Sequence, residues 1–112
     1  MVKEYIPDRG DIALLNFNPQ VGKEQAGRRP ALVISPKTYN KKVGLAIFCP
    51  ISSQEKGYPF EVTIPHVNSV HGVILSDHVK SLDWRSRKAT FLDRLEKNSF
   101  SEVIEKMSTL IS

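Results

Sequence analysis

The sequence predicts a mostly β (α+β) chain: a small β-barrel or strongly bent sheet, closed by one C-terminal helix. Three observations carry that expectation. Short apolar or alternating runs recur at close spacing between polar turns, as in small antiparallel folds. No helical period separates these runs, which argues against a parallel βαβ arrangement. After Ser99 the period changes: Phe100, Val103, Ile104, Met107, Leu110 and Ile111 fall on one apolar helical stripe.

Taken in order, residues 1–11 read as an irregular lead-in containing Pro7 and Gly10. Ile12 to Phe17 is the first strand; Asn16-Phe17-Asn18-Pro19 ends it, because asparagine and proline favour turns. A polar loop runs from Pro19 to Pro30. Ala31 to Ser35 is the second strand, and Thr38-Tyr39-Asn40-Lys41-Lys42 reads as a polar connection. Val43 to Ile51, the most apolar segment, is expected as a central third strand. After the polar loop from Ser52 to Tyr58, Phe60 to Ile64 alternates as a strand with one wet face does. Val67 to His71 is a turn region. Gly72 to Leu75 is a strand that runs through Ser76-Asp77-His78-Val79 into the next, and Lys88 to Leu95 is the last. Ser99-Phe100-Ser101-Glu102 has the form of a capping box. The stripe that follows must be buried on the sheet, since so short a helix is marginal in water.

Size and composition narrow the function. The 112 residues are expected to form one domain with a core large enough to need neither disulfide nor structural metal. Cys49 is the sole cysteine and lies in an apolar run, so a buried, inert thiol is expected. His66, His71 and His78 fit no zinc spacing, and no phosphate-binding glycine loop or Gly-x-Ser-x-Gly elbow occurs. No metal or cofactor is therefore expected. Met1-Val2-Lys3-Glu4-Tyr5 has no apolar signal region and no run reaches membrane-spanning length, so a soluble, cytoplasmic protein is expected. The net charge of +4 suits a polyanionic partner but does not single one out.

The densest polar stretch is Gly22-Lys23-Glu24-Gln25-Ala26-Gly27-Arg28-Arg29-Pro30, which runs directly into the second strand. Pro30 biases Arg29 toward an extended conformation, so its charge is expected to be held where loop meets sheet. Three further motifs accompany it: Pro7-Asp8-Arg9-Gly10-Asp11, Cys49-Pro50-Ile51-Ser52-Ser53 and Gly57-Tyr58-Pro59-Phe60-Glu61. In content and order these motifs resemble the MazF/PemK/Kid family, over nearly the whole chain. Its members are toxins of type II toxin–antitoxin pairs and act as sequence-specific endoribonucleases.

The resemblance implies an SH3-like, CcdB/MazF-like barrel spanning residues 1–112, working as a homodimer. It implies metal-independent cleavage of single-stranded mRNA by attack of the 2′-OH on the adjacent phosphate. Such cleavage needs proton transfer at both oxygens and donors already in place for the developing charge. Arg29 matches the arginine that the family uses at the scissile phosphate, a task suited to its planar donor fork. Ser52 stands where the family commonly has threonine; it keeps the hydroxyl but not the methyl that restricts χ1. Glu24 matches an acidic loop residue, whose part is loop ordering or proton transfer.

For the RNA path, Lys23, Gln25, Arg28, Ser53 and Lys56 supply the loop side. Asp77, His78, Lys80, Arg85 and Arg87 supply the other, with His78 at a position often read as glutamine in the family. Arg85 and Arg87, if on a strand, would point to one face beside Trp84, which would either stack a base or belong to the core or dimer interface. The same basic groove is expected to take the acidic, disordered tail of a cognate antitoxin; operator DNA would be met only through that complex. No membrane partner is expected. A second reading is a CcdB-like toxin that binds DNA gyrase without chemistry, and a third a small SH3-like adaptor.

Overall fold

The computed structural model describes residues 4–17 and 27–111. Within them run β1 (Asp11–Asn16), β2 (Arg28–Val33), α1 (Lys37–Val43), β3 (Ala46–Ser52), β4 (Glu61–Thr63), β5 (Val73–Leu75), β6 (Lys80–Leu82), β7 (Thr90–Arg94) and α2 (Lys97–Ser108). Every strand pair is antiparallel. The hydrogen-bonded path is β4-β5-β3-β2-β1-β7, with β6 attached to β3 off that path. Among the described residues the ladder is open at β4 and β7, so the chain is mostly β with a terminal helix, on an open sheet.

Strand alternation feeds two cores. Ile12, Leu32, Cys49, Ile51 and Ile74 belong to one, into which α2 delivers Val103, with Phe100 and Met107 at its margin. Ala13, Leu15, Ala31, Val33, Phe48 and Trp84 form the other. The central β1, β2 and β3 thus carry apolar side chains on both faces, which explains why their sequences read as near-continuous apolar runs.

The third strand is central, as expected, and it is divided. Its first half pairs with β6 through Ala46↔Leu82 and Phe48↔Lys80, and with β2 through Val33↔Phe48 and Ala31↔Pro50. Its last two residues pair with β5, Ile51↔Ile74 and Ser52↔Val73. Gly72 makes this junction possible. It sits at φ 131°, and a Cβ there would collide with the carbonyl oxygen of Ser52.

Three expectations need correction, and one open alternative, that for Trp84, is decided in favour of the core. First, residues 37–43 form α1, not a polar connection, and β3 starts at Ala46 rather than Val43. A helix that short buries only Asn40 and shows no apolar period. Asn40 holds it in place: its Nδ2 donates to the carbonyls of Pro7 (2.8 Å) and Ser35 (3.0 Å), and its own carbonyl accepts from Trp84 Nε1 at 3.0 Å. Trp84 is 1% exposed inside the second core, so it offers no face for stacking a base.

Second, α2 starts at Lys97, and its N-cap is Glu96, not Ser99. The Glu96 carboxylate accepts from the Ser99 N–H at 3.0 Å, so Ser99 is the residue being capped. Beyond the helix end, Leu110 and Ile111 are 53% and 80% exposed and leave the buried stripe. Third, Lys88 has φ 56°, which breaks strand geometry, so β7 begins at Thr90. Arg85 and Arg87 precede it in turns, not on a strand.

Gly72→Ala is expected to destabilise the fold by about 1–3 kcal/mol from its backbone conformation alone, with the Ser52 clash added. Urea unfolding would read this as a lower midpoint; an unchanged midpoint would refute the role given to Gly72.

Candidate functional site

The end of β3 opens into a cleft of about 380 Å³. Ser52, Gln54, Lys56, Tyr58, Glu61, Leu75, Asp77 and His78 line it. Four residues singled out from sequence, Ser52, Lys56, Asp77 and His78, are therefore brought together. They come from two separate stretches, and β3–β5 pairing closes the distance between them.

The cleft is built by local hydrogen bonds. The Ser52 hydroxyl accepts from the Gln54 N–H at 3.1 Å, an ST-turn that starts the loop. The Glu61 carboxylate accepts from the N–H groups of Lys56 (2.9 Å) and Gly57 (2.8 Å). Gly57 at φ 83° allows the chain to turn back toward Glu61. Across the cleft the Tyr58 hydroxyl donates to Asp77 Oδ1 at 2.7 Å, and His78 Nε2 lies 3.8 Å from the same oxygen. Desolvation first, then the Asp77 hydrogen bond and charge, push the Tyr58 phenol up to about 12. A phenol held neutral keeps its proton and anchors the Asp77 carboxylate.

Arg29 stands on β2 opposite Leu15 and is exposed. It shares the sheet face of Ala31 and Val33 but lies beyond the core they enter. The β2–β3 ladder ends at Ala31↔Pro50, so Arg29 and Ser52 each lie two residues beyond its last pair, off the same end. Arg29 is not itself among the cleft-lining residues. Glu24, Lys23 and Gln25 lie outside the described residues.

The other arginines have intramolecular duties. Arg28 Nη2 donates to the carbonyls of Leu14 (3.3 Å) and Lys88 (3.1 Å), which ties β2 to the turn before β7. Arg87 Nη1 donates to the carbonyls of Asn16 (3.1 Å) and Phe17 (2.7 Å) and closes the far end of β1. Arg85 is exposed, ion-paired with Glu4, and stacked over the Trp84 ring at 4.5 Å. Lys80 is exposed, with Nζ 5.9 Å from the centre of the Phe17 ring, and Ser53 is exposed beside the cleft loop. Arg28, Arg87 and Lys80 thus gather at the Asn16–Phe17 end of β1, while Arg85 lies apart against Trp84, and none of the four lines the cleft. Cys49 is buried, and desolvation raises its thiol to about 12, so it is no nucleophile at neutral pH.

Sequence reasoning gave Tyr58 and Glu61 no role at the site. Both stand in the quoted Gly57–Glu61 motif, but a carboxylate that caps backbone N–H groups and a tyrosine that holds an aspartate 19 residues on have no spacing signature.

Comparison with known proteins gives a consistent result. The model of the PemK-like, MazF-like toxin of type II toxin–antitoxin systems matches residues 8–111. The endoribonuclease toxin MazF of Escherichia coli (strain K12) is 43% identical over 111 residues, covering 99% of each chain. The endoribonuclease PemK of Escherichia coli is 28% identical over 109 residues, covering 94% of this chain and 82% of PemK. Among solved structures, MazE–MazF (Form-III) from Deinococcus radiodurans superposes with TM-score 0.88 at 50% identity, covering 96% of this chain and 97% of that one.

In a titration followed by the Cζ resonance of labelled tyrosine, Tyr58 is expected to show a midpoint near 12. Asp77→Asn should bring it down only part of the way towards the unperturbed phenol value of about 10, since desolvation remains. A midpoint unmoved by that change would refute the Tyr58–Asp77 contact.

Proposed function

The chain belongs to the PemK-like, MazF-like toxin family of type II toxin–antitoxin systems, and on that premise we propose that it is the endoribonuclease of such a pair, cutting single-stranded RNA without a metal ion. The observation that supports this reading is the β2–β3 ladder, beyond whose last pair, Ala31↔Pro50, the exposed Arg29 and the cleft-lining Ser52 both lie, two residues off the same end.

In the proposed reaction the RNA 2′-OH gives up its proton and its oxygen attacks the adjacent phosphorus. The bond to the 5′-oxygen breaks, that oxygen takes up a proton, and the products are a 2′,3′-cyclic phosphate and a 5′-OH. Arg29 meets the charge that builds on the non-bridging oxygens, with a fork of donors that stays protonated. The Ser52 hydroxyl, turned on the Gln54 backbone in the free chain, re-aims to orient the phosphate. Glu24 either orders the loop before Arg29 or assists a proton transfer. DNA lacks the attacking hydroxyl and is spared.

We assign the RNA path to Lys56, His78 and Lys80, which are exposed, together with Ser53 and Asp77 at the cleft and Lys23 and Gln25 in the loop. Arg85 can exchange Glu4 for a phosphate. Arg28 and Arg87 we read as backbone clamps whose loss would act through the sheet ends. The cleavage sequence is read by this path in a homodimer of single-domain subunits. A cognate antitoxin with an acidic tail would occupy the same surface, by analogy with the MazE–MazF complexes of Deinococcus radiodurans. Among the described residues no helix is long and apolar enough to cross a membrane, and we place the protein in the cytoplasm, where its mRNA substrate is. A CcdB-like gyrase binder is not favoured, since the matched relatives are named endoribonucleases.

With defined single-stranded RNA in EDTA, the parent is expected to cleave and Arg29→Ala to lose about 10²-fold or more, the scale of one transition-state donor. Ser52→Ala should lose less. Dependence on added metal, or full activity of Arg29→Ala, would overturn the reading.

A further inference from the structure

Lys106 lies on α2, three residues past Val103, the residue that buries the helix on the sheet. Its side chain reaches away from that core, to the loop that walls the cleft. Nζ donates to the carbonyl oxygens of Pro59 (2.7 Å) and Glu61 (3.1 Å) and lies 3.5 Å from Glu102 Oε2. An ammonium group has three donors and no acceptor; two are given to these carbonyls, and Glu102 adds an ion pair. The side chain is 30% exposed, which shields these bonds more than those of a free surface lysine.

The two carbonyls mark where the loop rejoins β4. Between Ser52 and that point the chain is held by few contacts. Gln54 N–H rests on the Ser52 hydroxyl, Lys56 and Gly57 N–H on the Glu61 carboxylate, and Tyr58 on Asp77. Two of these four bonds end on the Glu61 carboxylate, and the Glu61 N–H donates back to the Tyr58 carbonyl at 3.1 Å. Glu61 in turn is gripped at its carbonyl by Lys106. A shift of that one point moves Lys56, Gly57 and Tyr58 together.

We propose that Lys106 is a positioning residue for the cleft: it fixes the loop at Pro59 and Glu61, so that Gln54, Lys56 and Tyr58 face Asp77 and His78 ready to dock RNA. The choice of RNA as substrate rests on the ribonuclease reading above; the loop-holding role rests on the contacts alone. Lys106 is not among the cleft-lining residues and acts only through the loop.

The test uses the full chain with Lys106→Met, which keeps an unbranched apolar stem and removes the charge, and with Lys106→Cys before and after alkylation by 2-bromoethylamine. Alkylation restores an ammonium at nearly the lysine position, and buried Cys49 is protected from it. Hydrogen exchange at the Lys56 and Gly57 amides is read beside RNA cleavage. The expected result is faster exchange at both amides and a KM raised about tenfold with kcat little changed, the scale of a small misplacement of a binding group. Aminoethylation should reverse both effects. A lysine that only stabilised the fold would lower the unfolding midpoint and leave KM and the alkylation rescue untouched; that outcome, or unchanged amide exchange, overturns the proposal. If the parent itself cuts no RNA, the ribonuclease reading fails, and the exchange and rescue measurements still decide whether Lys106 holds the loop.

Discussion

The fold depends on one strand serving two pairings. β3 gives its first half to β2 and β6 and its last two residues to β5. A pleated strand can do this only if the neighbouring chain comes close where the partners change, and Gly72, which lacks a Cβ, permits that approach to Ser52. The consequence is functional. Ser52 is the residue at which β3 leaves the packed sheet, so its hydroxyl stands at a cleft mouth while its backbone remains tied to β5. Arg29 stands near the start of β2, just before the fully buried Ala31, Leu32 and Val33. Both proposed catalytic groups therefore sit one step outside a rigid core, where position is well defined and solvent is accessible.

Charge is spent unevenly. The chain carries 16 lysines and arginines, but Arg28 and Arg87 are turned onto backbone carbonyls and Arg94 onto Asp11 at 2.6 Å. Guanidinium groups suit this work because one side chain can satisfy several carbonyl oxygens at a strand end. The formal charge consequently overstates what is free to meet a polyanion. Lys56 and His78 line the cleft and are exposed, Lys80 is exposed on β6, and the proposed RNA path follows them rather than the densest basic sequence. On the acidic side, Asp77 and Glu61 are each engaged, by the Tyr58 hydroxyl and by loop N–H groups.

The sequence was legible where periodicity or motif order carries the information. β1, β2, β3 and β4 follow apolar runs, and α2 follows the stripe centred on Val103. Arg29 and Ser52 were singled out only because several motifs occur together in one order; neither residue has a local signature. α1 was illegible because one buried polar residue, Asn40, secures it instead of an apolar face. Trp84 was ambiguous because a tryptophan among arginines reads equally as a stacking platform, and only its bond to the Asn40 carbonyl reveals it as core. Glu96 was passed over as a cap because serine is the commoner cap at that spacing, yet the longer carboxylate reaches the Ser99 N–H. The parts that stayed hidden, Tyr58, Glu61 and Lys106, work through bonds between distant segments, which leave no periodic trace.

The central claim is that Arg29 and Ser52 act as one unit on a phosphodiester. A double-mutant cycle of Arg29→Ala and Ser52→Ala, read as kcat/KM for a defined RNA in EDTA, tests it most directly. Residues acting together lose their effects non-additively, so the double variant should be within about threefold of Arg29→Ala alone. Losses that simply multiply would show the two side chains working independently and would contradict the account.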